Sequence, residues 1–408
     1  MNVDPLMGRE YSNLSTAEVK VMFHFVSLIE PDWKIERIAF ARMYGRRPQE
    51  IMENARLGTH GGVNMSEATM TVTIAGKTGF GRSLGKKEDV EAFVGLKVKD
   101  MFDAEGYLKP EYYFIEYPLY DCLGQLFQKP AYELLCGDTL EKNNKIKVPY
   151  YDSTLYFSDI HTDSDKAAFK LYRDEVEQRM ARGHVHFKLK VGRGAMHMPL
   201  LQGIKRDIDI AHLVRDIIGK DAVLMLDANN GYNYNITREV LTELRDANIY
   251  WMEEAFHEDD VVYKKLKEWL KEEGMTTLIA DGEVGSRRAR NIVAWAKAGY
   301  IDVLQPDIVW DGLTFWLKYA RMLDADGILS APHNFGSMYG NYATVQVAPF
   351  IKHFTFAEWD EMMIEGYDVS QYRLANGFVH VPDLPGFGIG LDSALFEKRV
   401  AAEGWVAD

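Results

Sequence analysis

The sequence predicts an α/β protein: a parallel (β/α)8-type, TIM-like barrel preceded by an N-terminal α+β capping domain. From about Lys147 onward, eight short β-branched or apolar runs alternate with amphipathic stretches. That is the pattern of a parallel sheet built from βα units, with a spacing of about 25–30 residues per unit. Nearly every run ends in a polar or ionisable residue that a buried strand does not itself need. Before Lys147 the texture differs, with alternating strand-like segments followed by helical spacing.

Residues 1–33 read as an extension. "MNVDPLMGRE" has no basic region followed by an apolar one, and "VMFHFVSLI" is interrupted by His24 and too short to span a bilayer. Residues 34–146 form the cap. "WKIERIAFARMY" alternates as a strand does. A long loop, "GRRPQEIMENARLGTHGGVNMSE", is expected next, followed by two strands in "ATMTVTIAGKTGFGRS" joined by a Gly-containing turn. Helical spacing dominates residues 87–140, where "DCLGQLFQKPAYELLCG" ends at Gly137 as a helix C-cap would.

Residues 147–369 make the barrel. Its strands are expected in "VPYYDSTLYF", "HFKLKVG", "AVLMLDAN", "IYWMEEAF", "TTLIADGE", "YIDVLQPD", "GILSAPHNF" and "HFTFAEWD". Helical segments such as "DIDIAHLVRDIIG", "TREVLTELRDAN" and "DVVYKKLKEWLKEEG" lie between them.

The chain has 408 residues and a net charge of −14, from 47 basic against 61 acidic side chains. That balance argues against a nucleic-acid or anionic-membrane partner, which would need clustered Lys and Arg. A small anionic substrate remains compatible, because a local metal or lysine pair overrides the global field. The two cysteines, Cys122 and Cys136, sit in apolar runs without CxxC spacing. They read as buried reduced thiols in a cytoplasmic protein.

The strand ends carry the chemistry. Lys188 and Lys190 end the second strand, Asp227 the third, and Glu253 and Glu254 the fourth. Glu283 ends the fifth, Asp307 the sixth, His333 the seventh and Glu358 the eighth. One acidic residue at a strand end is ordinarily a cap or turn residue. Seven consecutive strands ending this way point to a ring of functional groups at the C-terminal mouth of the barrel. Asp227, Glu253 and Glu283 lie on adjacent strands and give an all-oxygen cluster that repels itself unless a cation sits within it. Hard oxygen ligands favour Mg2+ over Zn2+ or Cu2+. Lysines flank the cluster on one side, and His333, with Asp307 to fix its tautomer, on the other.

The set Lys188-x-Lys190, "LDANN", "WMEEAF", "ADGE", "QPD", "APHNF" and "FAEW" resembles the enolase superfamily, in its mandelate racemase subgroup, over residues 34–395. "EYPLYDCLGQLFQKPAYELLCGD" is similar to the helical segment of that family's cap. "NGFVHVPDLPGFGIGLD" is similar to the strand that returns to it, so the resemblance implies that residues 370–408 complete the cap. It implies Asp227, Glu253 and Glu283 as Mg2+ ligands. It also implies Lys190 and the His333–Asp307 pair as two acid/base groups, and Asn229 beside the metal. Lys188 would lower the Lys190 pKa and, with Glu358, hold a substrate carboxylate. The implied chemistry, a Lys or His base with Mg2+, is a known pattern of enolase-superfamily sites.

Two acid/base faces permit two outcomes. Dehydration of a sugar acid to a 2-keto-3-deoxy acid is the favoured reading. Racemisation, epimerisation or cycloisomerisation is the alternative, and a non-catalytic sugar-acid-binding protein a more remote one. The long cap loop brings Arg46, Arg47, Arg56 and His60, suited to hydroxyls or a second carboxylate, and "IVWDG" places Trp310 near the pocket. Glu-Glu is followed by Ala255 where the family usually has Pro. "HVH" at 184–186 invites an amidohydrolase-type metal reading. That family needs further strand-end histidines, so His184 and His186 are expected to fill the barrel interior. A homo-oligomer is expected, with the leading extension available for subunit contacts.

Overall fold

The computed structural model describes residues 23–58, 62–137, 145–283 and 291–408. The cap is built on β1 (Ile35–Ile51), β2 (Gly62–Ile74) and β3 (Lys77–Arg82), joined as an antiparallel meander. The chain end returns to the free edge of β1. There β12 (Met363–Ile364) pairs at Gly45 and Arg46, and the last strand, Trp405–Ala407, at Ile38–Phe40.

The connection between β1 and β2 is shorter than the sequence suggests. Gly45 and Pro48 read as the start of a loop, yet β1 runs on to Ile51. Gly45 is there because β12 approaches so closely that a Cβ would overlap the Met363 carbonyl. Pro48, which cannot donate to a ladder, falls where the register shifts between Arg46 and Ile51. The helical segment ending at Gly137 is two helices, Glu116–Phe127 and Ala131–Cys136. They part at Gln128, with φ +53, just before Pro130; the second ends on Gly137 at φ +54.

All eight expected barrel strands are present. They are β4 (Lys147–Leu155), β5 (Phe187–Lys190), β6 (Leu224–Asp227), β7 (Ile249–Glu253), β8 (Leu278–Asp281), β9 (Val303–Leu304), β10 (Leu329–Ser330) and β11 (Ala357–Trp359). They pair in parallel from β4 to β10 in sequence order, and β11 pairs with β4. Closure between β10 and β11 runs through the Ser330–Phe354 bridge and the Thr355 N–H, which donates to the Ser330 carbonyl at 2.9 Å.

Strand alternation sorts the side chains. Tyr151, Met225, Trp251, Ala280, Val303 and Ala331 form their own cluster inside the barrel. Phe187, Leu189 and Val191 join the outer core with Val176, Ile210 and Val214 of the surrounding helices. Helices follow the first seven strands; after β11 the chain crosses back to the cap.

The described end of the N-terminal extension is packed down. Phe23 stacks on Phe350 of the barrel at 6.1 Å and meets Tyr107 of the cap edge-on at 5.3 Å. Phe25 packs against Phe102 and Tyr120. Cys122 and Cys136 are buried. Among the described residues, no helix is long and apolar enough to cross a membrane.

Candidate active site

Parallel register sets the first row of the site. Lys190 lies opposite Asp227, and Asp227 opposite Glu253, on three neighbouring strands. Adjacent strands lie about 4.8 Å apart, so three ionisable groups are forced together at one depth. Glu283 comes from just beyond β8, where Gly282 turns the chain at φ +120. Asp227, Glu253 and Glu283 each present a carboxylate oxygen within 4.8 Å of the others.

Cationic side chains surround these acids. Lys190 Nζ is paired with Asp227. Lys188 Nζ lies 2.7 Å from Glu253 Oε1, 2.7 Å from Glu358 Oε1 and 3.5 Å from Asp227 Oδ2. Across the mouth, His333 Nδ1 is 2.7 Å from Asp307 Oδ2. That contact leaves Nε2 facing inward, 3.7 Å from Glu283 and 3.8 Å from Glu358. Glu358 Oε2 also accepts from the Asn334 N–H at 3.2 Å. The structure thus gathers Lys188, Lys190, Asp227, Glu253, Glu283, Asp307, His333 and Glu358 into one ring.

The electrostatics follow from this crowding. Burial and the Asp227 and Glu358 charges push Glu253 up to about 8, against the pull of Lys188. Burial works against ionised Asp227 and Glu358, yet the lysines and, for Glu358, His333 hold both below the usual carboxylate range. His333 is raised to about 10: burial opposes its charge, but Glu283, Glu358 and Asp307 outweigh it. The expectation for Lys190 is corrected. Lys188 does pull its pKa down, as does burial, but the Asp227 carboxylate in direct contact wins and the net shift is upward.

An all-oxygen donor set with a surplus of buried negative charge fits Mg2+. The Asn229 side chain adds a buried, unpartnered Oδ1 beside the cluster; the Asn229 backbone N–H donates to Asp227 Oδ1 at 2.9 Å and the side-chain Nδ2 to Glu254 Oε2 at 3.1 Å. Asp227, Glu253 and Glu283 are the residues that would hold the ion.

The cap residues sort differently from the sequence reading. Arg47 is not available to a substrate: it is buried and ion-paired to Asp360, with its Nε 2.8 Å from Oδ1. Arg46, one position earlier on β1, is exposed on the opposite face by strand alternation. His60 lies outside the described residues. The Trp310 ring is exposed and lies over the Arg82 guanidinium at 5.8 Å, so it meets the cap.

Arg56 is the arginine that reaches the site, with Nη2 4.0 Å from Glu283 Oε1. Its segment is fastened to the barrel. The Phe157 N–H donates to the Glu53 carbonyl at 3.0 Å, and His197 Nε2 lies 2.8 Å from the Asn54 carbonyl. The Ala55 methyl sits where a Cβ on Gly192 or Gly231 would have to go.

Several site residues escaped the sequence reading. Trp251 Nε1 and Gln305 Nε2 both donate to Glu253 Oε2, at 3.1 and 3.0 Å. Trp251 stands two residues before Glu253 on one strand face, a signal that alternation offers. Gln305 lies within the quoted "QPD". Tyr156 and Tyr151 place their rings beside the Lys190 and Lys188 ammonium groups.

His184 is also corrected. It precedes β5, so it does not share the inward parity, and it lies outside the barrel, 3.7 Å from Asp152 and 3.5 Å from Glu361. His186 sits at the barrel floor against Phe356, its Nδ1 accepting from Val223 N–H at 3.0 Å.

Residues 171–395 match the model of the enolase C-terminal domain-like family. The chain belongs to that family. Within the enolase superfamily its likeness is to the mandelate racemase group. A mandelate racemase/muconate lactonizing protein of Geobacillus sp. Y412MC10, complexed with magnesium and tartrate, is 44% identical. Its TM-score is 0.91, over 93% of this chain and 98% of that one. A galacturonate dehydratase of Geobacillus sp., complexed with D-galacturonate and 5-keto-4-deoxy-D-galacturonate, is 43% identical at a TM-score of 0.89, over 93% of this chain and 100% of that one. Arabinonate dehydratase of Saccharolobus solfataricus is 26% identical over 291 residues, 70% of each chain. Mg2+ is the cofactor of this enolase-superfamily site.

Proposed function

We propose that this protein is a hydro-lyase that dehydrates a hexuronate such as galacturonate. The reaction removes the proton α to the carboxylate and expels the β-hydroxyl. The observation that carries the reading is the pair of acid/base groups, Lys190 and Asp307-oriented His333, on two sides of one carboxylate cluster. The 43% identity with the galacturonate dehydratase supplies the substrate class. Counted from the carboxylate, a 5-keto-4-deoxy uronate is the 2-keto-3-deoxy pattern that the sequence reading expects.

Bound Mg2+ supplies positive charge to the carboxylate oxygens on which negative charge develops. Lys188 would hold that carboxylate, with the ionised Glu358, 2.7 Å away, fixing the ammonium group. With Asp227 engaged as a metal ligand, the charge that raises Lys190 would be offset; neutral Lys190 would then take the α-proton, and the C–H electron pair moves into the carboxylate. When the pair returns, the β C–O bond breaks. His333 delivers a proton from Nε2 to the departing hydroxyl, so that water leaves and an enol remains. The enol then ketonises by gaining a proton at the former β-carbon. Asp307 keeps Nδ1 protonated, which is what leaves Nε2 free for the transfer.

The same two-sided arrangement would also serve 1,1-proton transfer, giving an epimer in place of a keto acid. Incubation with Mg2+ and a panel of hexuronates and aldonates, with trapping of the product carbonyl, separates the two. Dehydration yields an α-keto acid from a hexuronate. Epimer formation without any carbonyl product would sink the lyase reading.

A further inference from the structure

Glu116 opens the cap helix Glu116–Phe127 and is buried, at 4% exposure. Its carboxylate reaches into the barrel. Oε1 accepts from the Leu313 N–H at 2.8 Å and Oε2 from the Thr314 N–H at 2.9 Å. These residues open the barrel helix Leu313–Ala325, whose first N–H groups have no partner within the helix. Gly312, just before, has φ +96, and a Cβ there would run into Glu116 Oε1. The neighbouring cap residue, Tyr117, donates its O–H to the Ile308 carbonyl.

Tyr117 holds the short loop 307–312 at Ile308, and Glu116 holds the helix start at which that loop ends; the loop begins with Asp307. Val309 and Trp310 N–H groups both donate to Asp307 Oδ1, at 2.7 Å each. Asp307 N–H donates to Asp311 Oδ2 at 3.1 Å, and Asp311 N–H returns to the Asp307 carbonyl at 3.0 Å. Ile308 N–H donates to the His333 carbonyl at 2.9 Å. The loop therefore sets one Asp307 oxygen while His333 occupies the other.

We propose that Glu116 and Tyr117 are positioning residues: from the cap, they hold loop 307–312 and through it aim the Asp307–His333 pair. The inference rests on the reading of His333 as an acid/base group. Gln at 116 would keep one acceptor and turn an amide N–H against the second helix N–H. Phe at 117 would keep the ring and lose the tether. In either case the loop gains freedom to shift, and proton transfer is sensitive to sub-ångström misplacement.

The test uses Glu116→Gln and Tyr117→Phe in the full-length Mg2+-loaded protein. Expected is a fall in kcat on a hexuronate of roughly ten-fold or more, with KM and Mg2+ affinity held within about two-fold. The metal ligands and Glu358 come from β6, β7, the turn after β8 and β11, not from the loop that these residues hold. The proton resonance of His333 Nδ1–H, far downfield when bonded to Asp307, should move or broaden. Wild-type kcat with an unmoved resonance in both variants would overturn the inference. If Glu116→Gln fails to fold, Tyr117→Phe still decides. If the wild-type protein turns over no sugar acid, the proposed function fails, while the resonance still reports whether the cap aims the pair.

Discussion

Arg47 of the cap and Asp360 of the barrel meet in a buried seam. Arg47 Nε lies 2.8 Å from Oδ1 and Nη2 2.5 Å from Oδ2, with both side chains buried. Asp360 follows β11 by one residue and also accepts from the Gly336 N–H at 2.8 Å, three residues after His333. The pair therefore ties the first cap strand to the same face of the barrel that carries His333 and Glu358.

Arg47→Met should leave Asp360 buried without its partner. Breaking such a pair costs roughly 3–5 kcal/mol. Denaturant unfolding of the purified variant reads this as a lower midpoint with the same slope. A variant as stable as the wild type would show that the seam does not depend on the pair.

Mg2+ should stabilise the fold as well as serve the reaction. At a free concentration of about 100 times Kd the gain is about 2.7 kcal/mol, visible as a higher Tm. Asp227→Asn should abolish both the rise in Tm and the heat of Mg2+ binding in calorimetry. An unchanged Mg2+ response would remove Asp227 from the metal site.

Two buried carboxyls predict a stability slope with pH. Burial raises both Glu116 and Asp121 to about 7, against the backbone N–H bonds that they accept. The folded form therefore binds more protons than the unfolded chain between about pH 4 and 7. Their contribution is full below the unfolded pKa, declines as pH rises through 7 and is flat above. Asp121→Asn should flatten that slope in unfolding free energies measured from pH 5 to about 8. A slope as steep as the wild type's would exclude Asp121 as a source.

Gly231→Ala should disturb the cap segment over the mouth. The new methyl would lie 2.6 Å from the Ala55 Cβ and 2.9 Å from the Ala228 carbonyl. Overpacking of this kind costs about 1–3 kcal/mol and is relieved by moving the cap segment, which carries Arg56. A rise in KM is expected. Unaltered KM and kcat would mean that this segment's position does not matter to the substrate.

The barrel was legible because its signals are local. Strand alternation, helix spacing and an ionisable residue at seven of the eight strand ends all lie within one βα unit, and adjacent register then brings Lys190, Asp227 and Glu253 together. What escaped depends on partners far apart in the chain. Nothing near Arg47 announces Asp360, more than three hundred residues on, so a basic loop residue was the natural reading of a buried brace. Gly45 looked like a turn and is a close strand crossing. Glu116 lies in the quoted cap segment, and nothing near it announces the barrel helix that it caps. His184 shared a parity with Lys188 on paper, but β5 begins only at Phe187. The Lys190 shift was misjudged because the like charge at Lys188 is evident in the sequence, whereas contact with Asp227 needs the register.

The proposed reaction removes the proton α to a hexuronate carboxylate and then expels the β-hydroxyl. Proton NMR of galacturonate with the Mg2+-loaded protein in D2O tests it directly. Expected are loss of the H5 signal and a C4 methylene that carries one deuterium, in a 5-keto-4-deoxy product, with no conversion by Lys190→Ala or His333→Asn. Retention of H5 in every hexuronate and aldonate tried, or equal conversion by both variants, would contradict it.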